Sequence, residues 1–184
     1  MLILASKSPR RKELLSLITA DFTVRAAEVD ETLPADISPK EAVLYLSDIK
    51  AQAVFDGVHT VIGADTVVAL DGEIFGKPAN DGEAFSMLKK LSGREHSVFT
   101  GVTVISPKAK TSFYNETKVK FCPLSDDEIK AYIKTGECCD KAGAYGIQGF
   151  GSRFVESING DYFNVVGLPV CKLYHTLRNL DDFC

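Results

Sequence analysis

The sequence has 184 residues, of which 45% are hydrophobic, and a formal net charge of −4. A chain of this length can bury one substantial core, so we expect residues 1–184 to form a single domain. The acidic balance argues against a protein that coats nucleic acid, because that binding needs many cations to neutralise phosphates. No apolar run is long enough to span a membrane. The five cysteines are odd in number and include no Cys-x-x-Cys pair, which favours a reducing, cytoplasmic setting over a disulfide framework or a zinc site.

Strands and helices are predicted to alternate along the chain. Residues 2–5 form a short buried strand without the basic region of a signal peptide, and Ser8-Pro9 then starts a helix. Its apolar face carries Leu14, Leu15 and Ile18. Three further helix starts are predicted at Ser38-Pro39-Lys40-Glu41, Asn80-x-x-Glu83 and Ser125-x-x-Glu128. The helices that begin at Asn80 and Ser125 should stop near Ser92-Gly93 and Thr135-Gly136.

The remaining predicted elements are strands and one final helix. Residues 96–105 and 111–121 have the pattern of strands, and residues 170–180 that of a helix. We expect four side chains of that helix to point inward: Val170, Leu173, Tyr174 and Leu177. Because strands, helices and hairpins are interspersed, the predicted fold class is α/β, with a mixed sheet flanked by helices.

Residues 60–70 form a strong β-rich run that is closed by Asp71-Gly72, the turn pair of a two-residue hairpin. If this turn sets the register, Lys77 lies opposite Thr66 and beside Asp65 in sequence. The flanking Gly76 and Pro78 leave the pairing open at that point. The two segments should nevertheless be close neighbours.

Arg10 and Arg11 fall in the first turn of the first helix, where the helix dipole is already positive. Free N–H groups and two guanidinium groups would suit a phosphate, and Ser6-Lys7-Ser8 supplies further donors. The alternative interpretation is a solvated basic helix end.

Two charged residues interrupt apolar patterns. Asp65 lies in an otherwise apolar strand, so it should be paired, hydrogen-bonded or bound to a metal; a structural bond to nearby backbone is the alternative. Lys50 shares a helix face with Val43, Leu46 and Ala53. It either meets an anion in a cleft or extends along the margin of the apolar stripe to reach solvent.

Two segments without helical spacing carry polar groups that could bind a ligand. The acidic cluster of Glu28, Asp30 and Glu31 is typical of a solvated loop, but Mg²⁺ is often bound by one or two carboxylates together with phosphate oxygens. The segment 140–149 holds three glycines and Gln148, whose amide can both donate and accept. It is either an ordinary surface loop or a loop that contacts a heterocyclic base.

Taken together, six motifs resemble the Maf family of nucleotide pyrophosphatases nearly end to end. They are Ser6–Leu15, Val29-Asp30-Glu31, Gly63-Ala64-Asp65-Thr66, Gly76-Lys77-Pro78, the segment 140–149 and Asn164–Pro169. The resemblance implies an α/β fold with two lobes around a cleft, similar to inosine-triphosphate pyrophosphatases. It also implies hydrolysis of nucleoside triphosphates to monophosphate and pyrophosphate with a divalent cation, Mg²⁺ or Mn²⁺.

The resemblance also implies roles for individual residues. Asp65 and Glu31 would be the catalytic carboxylates and metal ligands, while Ser6, Arg11, Lys50 and Lys77 would contact phosphates. Arg10, Thr66 and Gln148 match the branch of the family that acts on dTTP and UTP, so they would set substrate specificity. Asp161 stands where many relatives have Ser or Asn, a departure expected to be harmless to the chemistry. A homodimer is implied as well. The competing hypothesis is a non-catalytic nucleotide-binding regulator of septum formation.

Overall fold

The computed structural model describes residues 1–180, which contain a seven-stranded sheet with helices packed against it. The strands are β1 Leu2–Leu4, β2 Phe22–Val24, β3 Thr60–Leu70, β4 Glu73–Phe75, β5 Glu95–Ile105, β6 Lys110–Phe121 and β7 Val155–Asn159. The helices are α1 Pro9–Ser16, α2 Pro39–Val54, α3 Asp81–Leu91, α4 Asp126–Ile133, α5 Tyr162–Val166 and α6 Val170–Asn179, with 3₁₀ turns at Ala142–Ala144 and Gly149–Phe154. None of these helices has the length and apolarity needed to cross a bilayer.

The sheet is mixed, which confirms the predicted fold class. Its order is β2-β1-β3-β5-β6-β7, and β4 pairs with β3 beside this path. β1 is parallel to both β2 and β3, whereas β3, β5, β6 and β7 pair in antiparallel fashion. The chain therefore runs from β1 through α1 to β2 on one side of β1, and then through α2 to β3 on the other side. Such a reversal of strand order is where open α/β sheets bind ligands.

One edge of β3 is interrupted. On one side β3 pairs with β5 from Val61 to Ala69. On the other side the β1 ladder ends at Ile62 and the β4 ladder begins at Val68. Within residues 1–180, residues 63–67 therefore have no strand partner on that side. This gap, which we call the β3 notch, opens beside the carboxyl end of β1.

The four predicted helix starts are confirmed by their hydrogen bonds. Ser8 and Asn80 each accept a backbone N–H from three residues further along the chain. Ser38 and Ser125 form complete capping boxes with Glu41 and Glu128. Because the cap side chains satisfy N–H groups that have no partner inside a helix, these short sequence signals locate helix starts well.

The predicted hairpin is confirmed, but its ladder is shorter than the sequence suggested. Asp71 and Gly72 have φ values of 53° and 84°, as a tight hairpin turn requires. The register pairs Leu70 with Glu73 and Val68 with Phe75, and the ladder ends there. This is the predicted register, but Lys77 lies beyond the ladder, so the pairing of Lys77 with Thr66 that the sequence left open does not form.

The hydrophobic core is divided where β3 and β5 pass the notch. One cluster contains Val68 and Val98 and includes residues of α3 and α4, and the other contains Ala64 and Val102 and includes residues of α1 and α6. The intervening side chains on this face are polar. This division matches the predicted two lobes, because the polar positions lie between two apolar clusters.

α6 follows its predicted apolar face with one exception. Leu173 and Leu177 are buried and Val170 is partly buried against the same cluster. Tyr174 was wrongly predicted to point inward, since it is 38% exposed and the Arg178 guanidinium lies 5.7 Å from its ring centroid. An amphipathic tyrosine at the margin of an apolar stripe can cover the stripe from the solvent side.

Candidate active site

A cleft of about 1120 Å³ occupies the β3 notch, and every residue predicted for the site lines it. The lining residues include Ser6, Arg10, Arg11, Glu31, Lys50, Asp65, Thr66, Lys77 and Gln148. Successive strand residues point to opposite faces of a sheet, so Asp65 faces α2 while Thr66 faces α1 and α5. Because the notch exposes the edge between them, side chains from both faces can reach one ligand.

The α2 side of the cleft holds a cluster of two carboxylates and one ammonium group. Lys50 Nζ lies 2.5 Å from Asp65 Oδ1 and 3.0 Å from Glu31 Oε1. Lys50 and Asp65 are each only 8% exposed, whereas the Glu31 side chain is 51% exposed. The two carboxylate oxygens can be no further apart than the sum of those two distances. Lys50 therefore does not extend to solvent; it holds both carboxylates at the cleft wall.

α2 can place Lys50 here because it lies unusually close to the sheet. A Cβ atom at Gly63 would collide with the carbonyl oxygen of Ser47, and one at Gly101 would collide with that of Val43. Gly63 and Gly101 lie on neighbouring strands and point to the α2 side. The glycine of the Gly-Ala-Asp-Thr motif thus has a packing role, two residues before the carboxylate it helps to position.

The opposite side of the cleft presents a fixed arginine. Arg11 Nε donates to the Gly167 carbonyl at 2.9 Å, Nη2 donates to Thr66 Oγ1 at 3.0 Å, and Nη1 lies 3.5 Å from Ser6 Oγ. A guanidinium group has five N–H donors, so N–H groups remain for a ligand. Burial lowers the pKa of Arg11, and the nearby Asp65 carboxylate opposes this shift. Arginine remains protonated under all ordinary conditions, so the charge persists.

The rim of the cleft is lined by exposed or half-buried ion pairs. Arg10 Nη1 lies 3.5 Å from Asp140 Oδ2, and Lys7 Nζ lies 3.4 Å from Glu28 Oε1. Such solvated pairs contribute little to stability. They can separate at small cost, which leaves the two cations able to turn towards an incoming anion.

Glu137 was not predicted for this site, yet it organises the glycine-containing loop. One of its carboxylate oxygens accepts the Phe150 N–H at 2.8 Å, and the other accepts the Gly151 N–H at 3.1 Å and the Tyr132 hydroxyl at 3.0 Å. Gly149 has a φ of 70°, and a Cβ atom there would meet the same carboxylate. A loop with free N–H groups needs acceptors, which was the available sequence signal. It did not reveal which nearby acid supplies them.

Gln148 and Lys77 are the uncommitted polar groups at the mouth of the cleft. Both are exposed. Among the contacts of residues 1–180, neither side chain forms a hydrogen bond or ion pair. Gln148 directly precedes the turn that Glu137 holds, so its backbone position is fixed while its amide is free. A fixed backbone and a free side-chain amide suit a residue that recognises a ligand by hydrogen bonds.

The acidic residues can accommodate a divalent cation only with help from a ligand. Residues 1–180 contain no group of three or more His, Cys, Asp or Glu side chains arranged to hold a metal. Asp65 and Glu31 supply two carboxylates, and both contact the ammonium group of Lys50. Mg²⁺ commonly binds through one or two carboxylates plus substrate phosphates, so this donor set fits a metal that arrives with a polyphosphate.

Comparison with known proteins assigns the chain to a family. The model of the family described as "Maf-like protein" matches residues 1–180, so the chain belongs to the Maf family. A protein named dTTP/UTP pyrophosphatase from Bacillus pumilus (strain SAFR-032) is 50% identical over 184 residues, covering 99% of this chain and 96% of that protein. One with the same name from Bacillus cereus (strain G9842) is 48% identical over 182 residues, covering 98% and 95%.

A solved structure shares the fold. The structure of a HAM1 protein from Coxiella burnetii matches with a TM-score of 0.57 and 13% sequence identity, covering 97% of this chain and 98% of that one. At this identity the match concerns architecture alone. It agrees with the two-lobed α/β arrangement around a cleft.

Proposed function

We propose that this protein hydrolyses nucleoside triphosphates, dTTP and UTP above all, to the monophosphate and pyrophosphate. The observation that carries the proposal is the buried Lys50–Asp65 pair with Glu31 beside it, which faces a fixed arginine across one cleft. The names of the two Bacillus relatives support the substrate class. Removal of non-standard or excess nucleotides would be the biological purpose.

The triphosphate would lie at the start of α1. Arg11 and Ser6 face the cleft there, and no acidic residue occupies the first turn of α1. Helix N–H groups and guanidinium donors together favour a bound phosphate. Lys77 from the opposite rim would neutralise the charge that develops on the pyrophosphate leaving group.

The carboxylates would direct a water molecule. Its oxygen would form a bond to the α-phosphorus while the bond from that phosphorus to the bridging oxygen breaks, releasing pyrophosphate. Asp65 or Glu31 would take the water proton, and Lys50 would hold both carboxylates in place before the nucleotide arrives. Mg²⁺ or Mn²⁺, held by these two carboxylates and the phosphates, would supply charge neutralisation and activation of the water.

Base selection would depend on the loop that Glu137 holds. Thymine and uracil present a carbonyl and an imide N–H side by side, and the Gln148 amide can match them with a donor and an acceptor. Arg10 lines the same cleft and lies near the loop, because its guanidinium group contacts Asp140. We therefore expect preference for pyrimidine over purine triphosphates, and Gln148→Glu should weaken that preference because a carboxylate cannot donate to the base carbonyl. Relative kcat/KM values for dTTP, UTP, CTP and GTP test this.

A non-catalytic nucleotide-binding regulator is the alternative. No contact in the site favours it, because simple binding of a triphosphate gains nothing from two carboxylates placed beside the phosphate region. Purified protein that binds dTTP with Mg²⁺ and releases no pyrophosphate would support the regulator.

The test of catalysis compares Asp65→Asn with Glu28→Gln. Asp65→Asn should lower kcat by at least about 100-fold at saturating Mg²⁺, as loss of a general base or metal ligand commonly does. Glu28 also lines the cleft, but its only described contact is with exposed Lys7, so Glu28→Gln should stay within about twofold. Near-normal turnover in Asp65→Asn would remove the assigned role.

Assembly and location belong to the same proposal. Homodimers with twofold symmetry are the commonest oligomers, and we propose one here. Sedimentation at micromolar concentration should show twice the 20.0 kDa chain mass, and a single 20.0 kDa species would contradict it.

We also propose a cytoplasmic location, since the nucleotide pool is there. The four cysteines of residues 1–180 are free thiols, as a reducing compartment would keep them.

A further inference from the structure

Thr100 lies at the middle of β5, is fully buried and does not line the cleft. Its hydroxyl nevertheless has two close partners. It donates to the main-chain carbonyl of Asn164 at 2.8 Å, and its oxygen lies 2.9 Å from Thr66 Oγ1. A carbonyl can only accept, so the single proton of Thr100 is committed to Asn164. The Thr66 hydroxyl must therefore be the donor in the contact between the two threonines.

The direction of this bond determines how the Thr66 hydroxyl donates and accepts. Its only proton points to Thr100, and its oxygen accepts from Arg11 Nη2 at 3.0 Å. The hydrogen bonds thus run one way, from Arg11 through Thr66 and Thr100 to the Asn164 carbonyl. We call these four residues the threonine relay. Bonds aligned in this way reinforce one another in a low-dielectric interior.

From this arrangement we infer that Thr100 is a positioning residue that fixes the Arg11 guanidinium group through Thr66. In the same relay, Thr66 orients the phosphate-binding arginine, because its only proton is committed to Thr100 and its oxygen accepts from Arg11. The inference deepens the proposed function and rests on it, since Arg11 is given the phosphate there.

The surroundings make the relay rigid. Thr66 and Thr100 are direct cross-strand partners, so their separation is set by the sheet ladder. The relay ends on α5, and Gly167, the residue just after α5, accepts the Arg11 Nε–H. The guanidinium group is therefore held at two points by the strands and by the end of one helix. A planar donor group that is fixed in advance loses little freedom when a phosphate binds.

The test uses Thr100→Val, which keeps the shape of the side chain and removes the hydroxyl. Thr103→Val is the matched control, because Thr103 is equally buried on the same strand. Its hydroxyl contacts only Ser47 and Ser112 among residues 1–180, on the α2 side of the sheet. Thr100→Ser is the rescue variant, since it restores a hydroxyl. Inorganic pyrophosphate with Mg²⁺ is the probe, and calorimetry measures its Kd without any need for turnover.

Thr100→Val should weaken pyrophosphate binding by about tenfold, the effect of losing one neutral hydrogen bond, while Thr100→Ser and Thr103→Val stay within about twofold. The kcat/KM values for dTTP, UTP and GTP should fall by the same factor, because the relay acts on the phosphates. Thr66→Val cuts the same connection from the cleft side, so the double variant with Thr100→Val should bind no more weakly than Thr66→Val alone.

Three results would overturn the inference. They are an unchanged Kd in Thr100→Val, an equal loss in Thr103→Val, and a loss in Thr100→Val that depends on the base. If Thr100→Val does not fold, Thr66→Val decides the matter by the same Kd comparison. Failure of the proposed function would look different, because wild-type protein would bind pyrophosphate yet release none from any nucleoside triphosphate.

Discussion

The Lys50 cluster makes a quantitative prediction about stability. Lys50→Met replaces an ammonium group by an apolar side chain of similar length and leaves Asp65, only 8% exposed, without its partner at 2.5 Å. Removing one member of a buried pair costs about 3 to 5 kcal/mol, because an uncompensated charge stays behind. Glu31 is half exposed and should add less than about 1 kcal/mol. We therefore expect a loss of about 3 to 6 kcal/mol in the free energy of unfolding.

A double-mutant cycle identifies the source of that loss. Lys50→Met combined with Asp65→Asn removes both charges, so the double variant should recover about 2 kcal/mol relative to Lys50→Met alone. Urea unfolding at pH 7.5, without Mg²⁺ or nucleotide, supplies the four free energies. Lys89→Met is the control, because its contact with Asp126 has the same length, 2.5 Å, but is half exposed. It should cost less than about 1 kcal/mol.

The reasoning would be refuted if Lys50→Met and Lys89→Met lost similar amounts of stability. It would also be refuted by a coupling energy between Lys50 and Asp65 below about 0.5 kcal/mol, the level at which independent sites are additive. Either result would mean that the cluster is solvated in the free protein. The carboxylates would then not be held in place before the nucleotide binds.

Three further predictions concern the loop, a buried histidine and the approach of α2 to the sheet. Glu137→Gln should raise KM for dTTP about fivefold with little change in kcat, because one carboxylate acceptor is lost; steady-state kinetics measure both. Burial lowers the pKa of His96 from 6.5 to about 4, so the unfolded chain binds a proton first as the pH falls through this window. Wild type should therefore lose about 3 kcal/mol in the free energy of unfolding as the pH falls from 6.5 to 4, and His96→Gln should not show this loss. Equal losses for the two proteins in urea unfolding would contradict this. Gly101→Ala should cost at least about 2 kcal/mol in the same assay, whereas Gly76→Ala, where a Cβ meets nothing, should stay within about 0.5 kcal/mol.

Local chemistry explains what the sequence could predict of the fold. Cap residues such as Ser38, and the turn pair Asp71-Gly72, act on backbone groups within a few residues, so their signals can be read without knowledge of the fold. The departure at Asp161 has the same kind of explanation, since its side chain caps α5 by accepting the Phe163 N–H at 2.9 Å. The exposed position of Tyr174 could not be read this way, because helical spacing locates a stripe but not its margin.

The site was less predictable because its contacts cross long sequence distances. The stripe containing Lys50 left two possibilities, an anion in a cleft or a side chain that extends to solvent, and the structure shows the first, with Asp65 and Glu31 as the anions. Nothing local distinguished Glu137 from the neighbouring acids, since its partners lie up to fourteen residues away on another turn. The direction of the bond between Thr66 and Thr100 depends on a third group, the Asn164 carbonyl, that only the folded chain brings near.

The β3 notch has a consequence for self-association. Open strand edges attract other strands, and the notch leaves such an edge free in the middle of a sheet. It is only five residues long, its centre carries the charged Asp65, and β1 and β4 block it at both ends. A second chain would have to bury that carboxylate and fit between two existing strands. The gap is therefore open to a small ligand and closed to another polypeptide, so a binding cleft exists without creating an aggregation site.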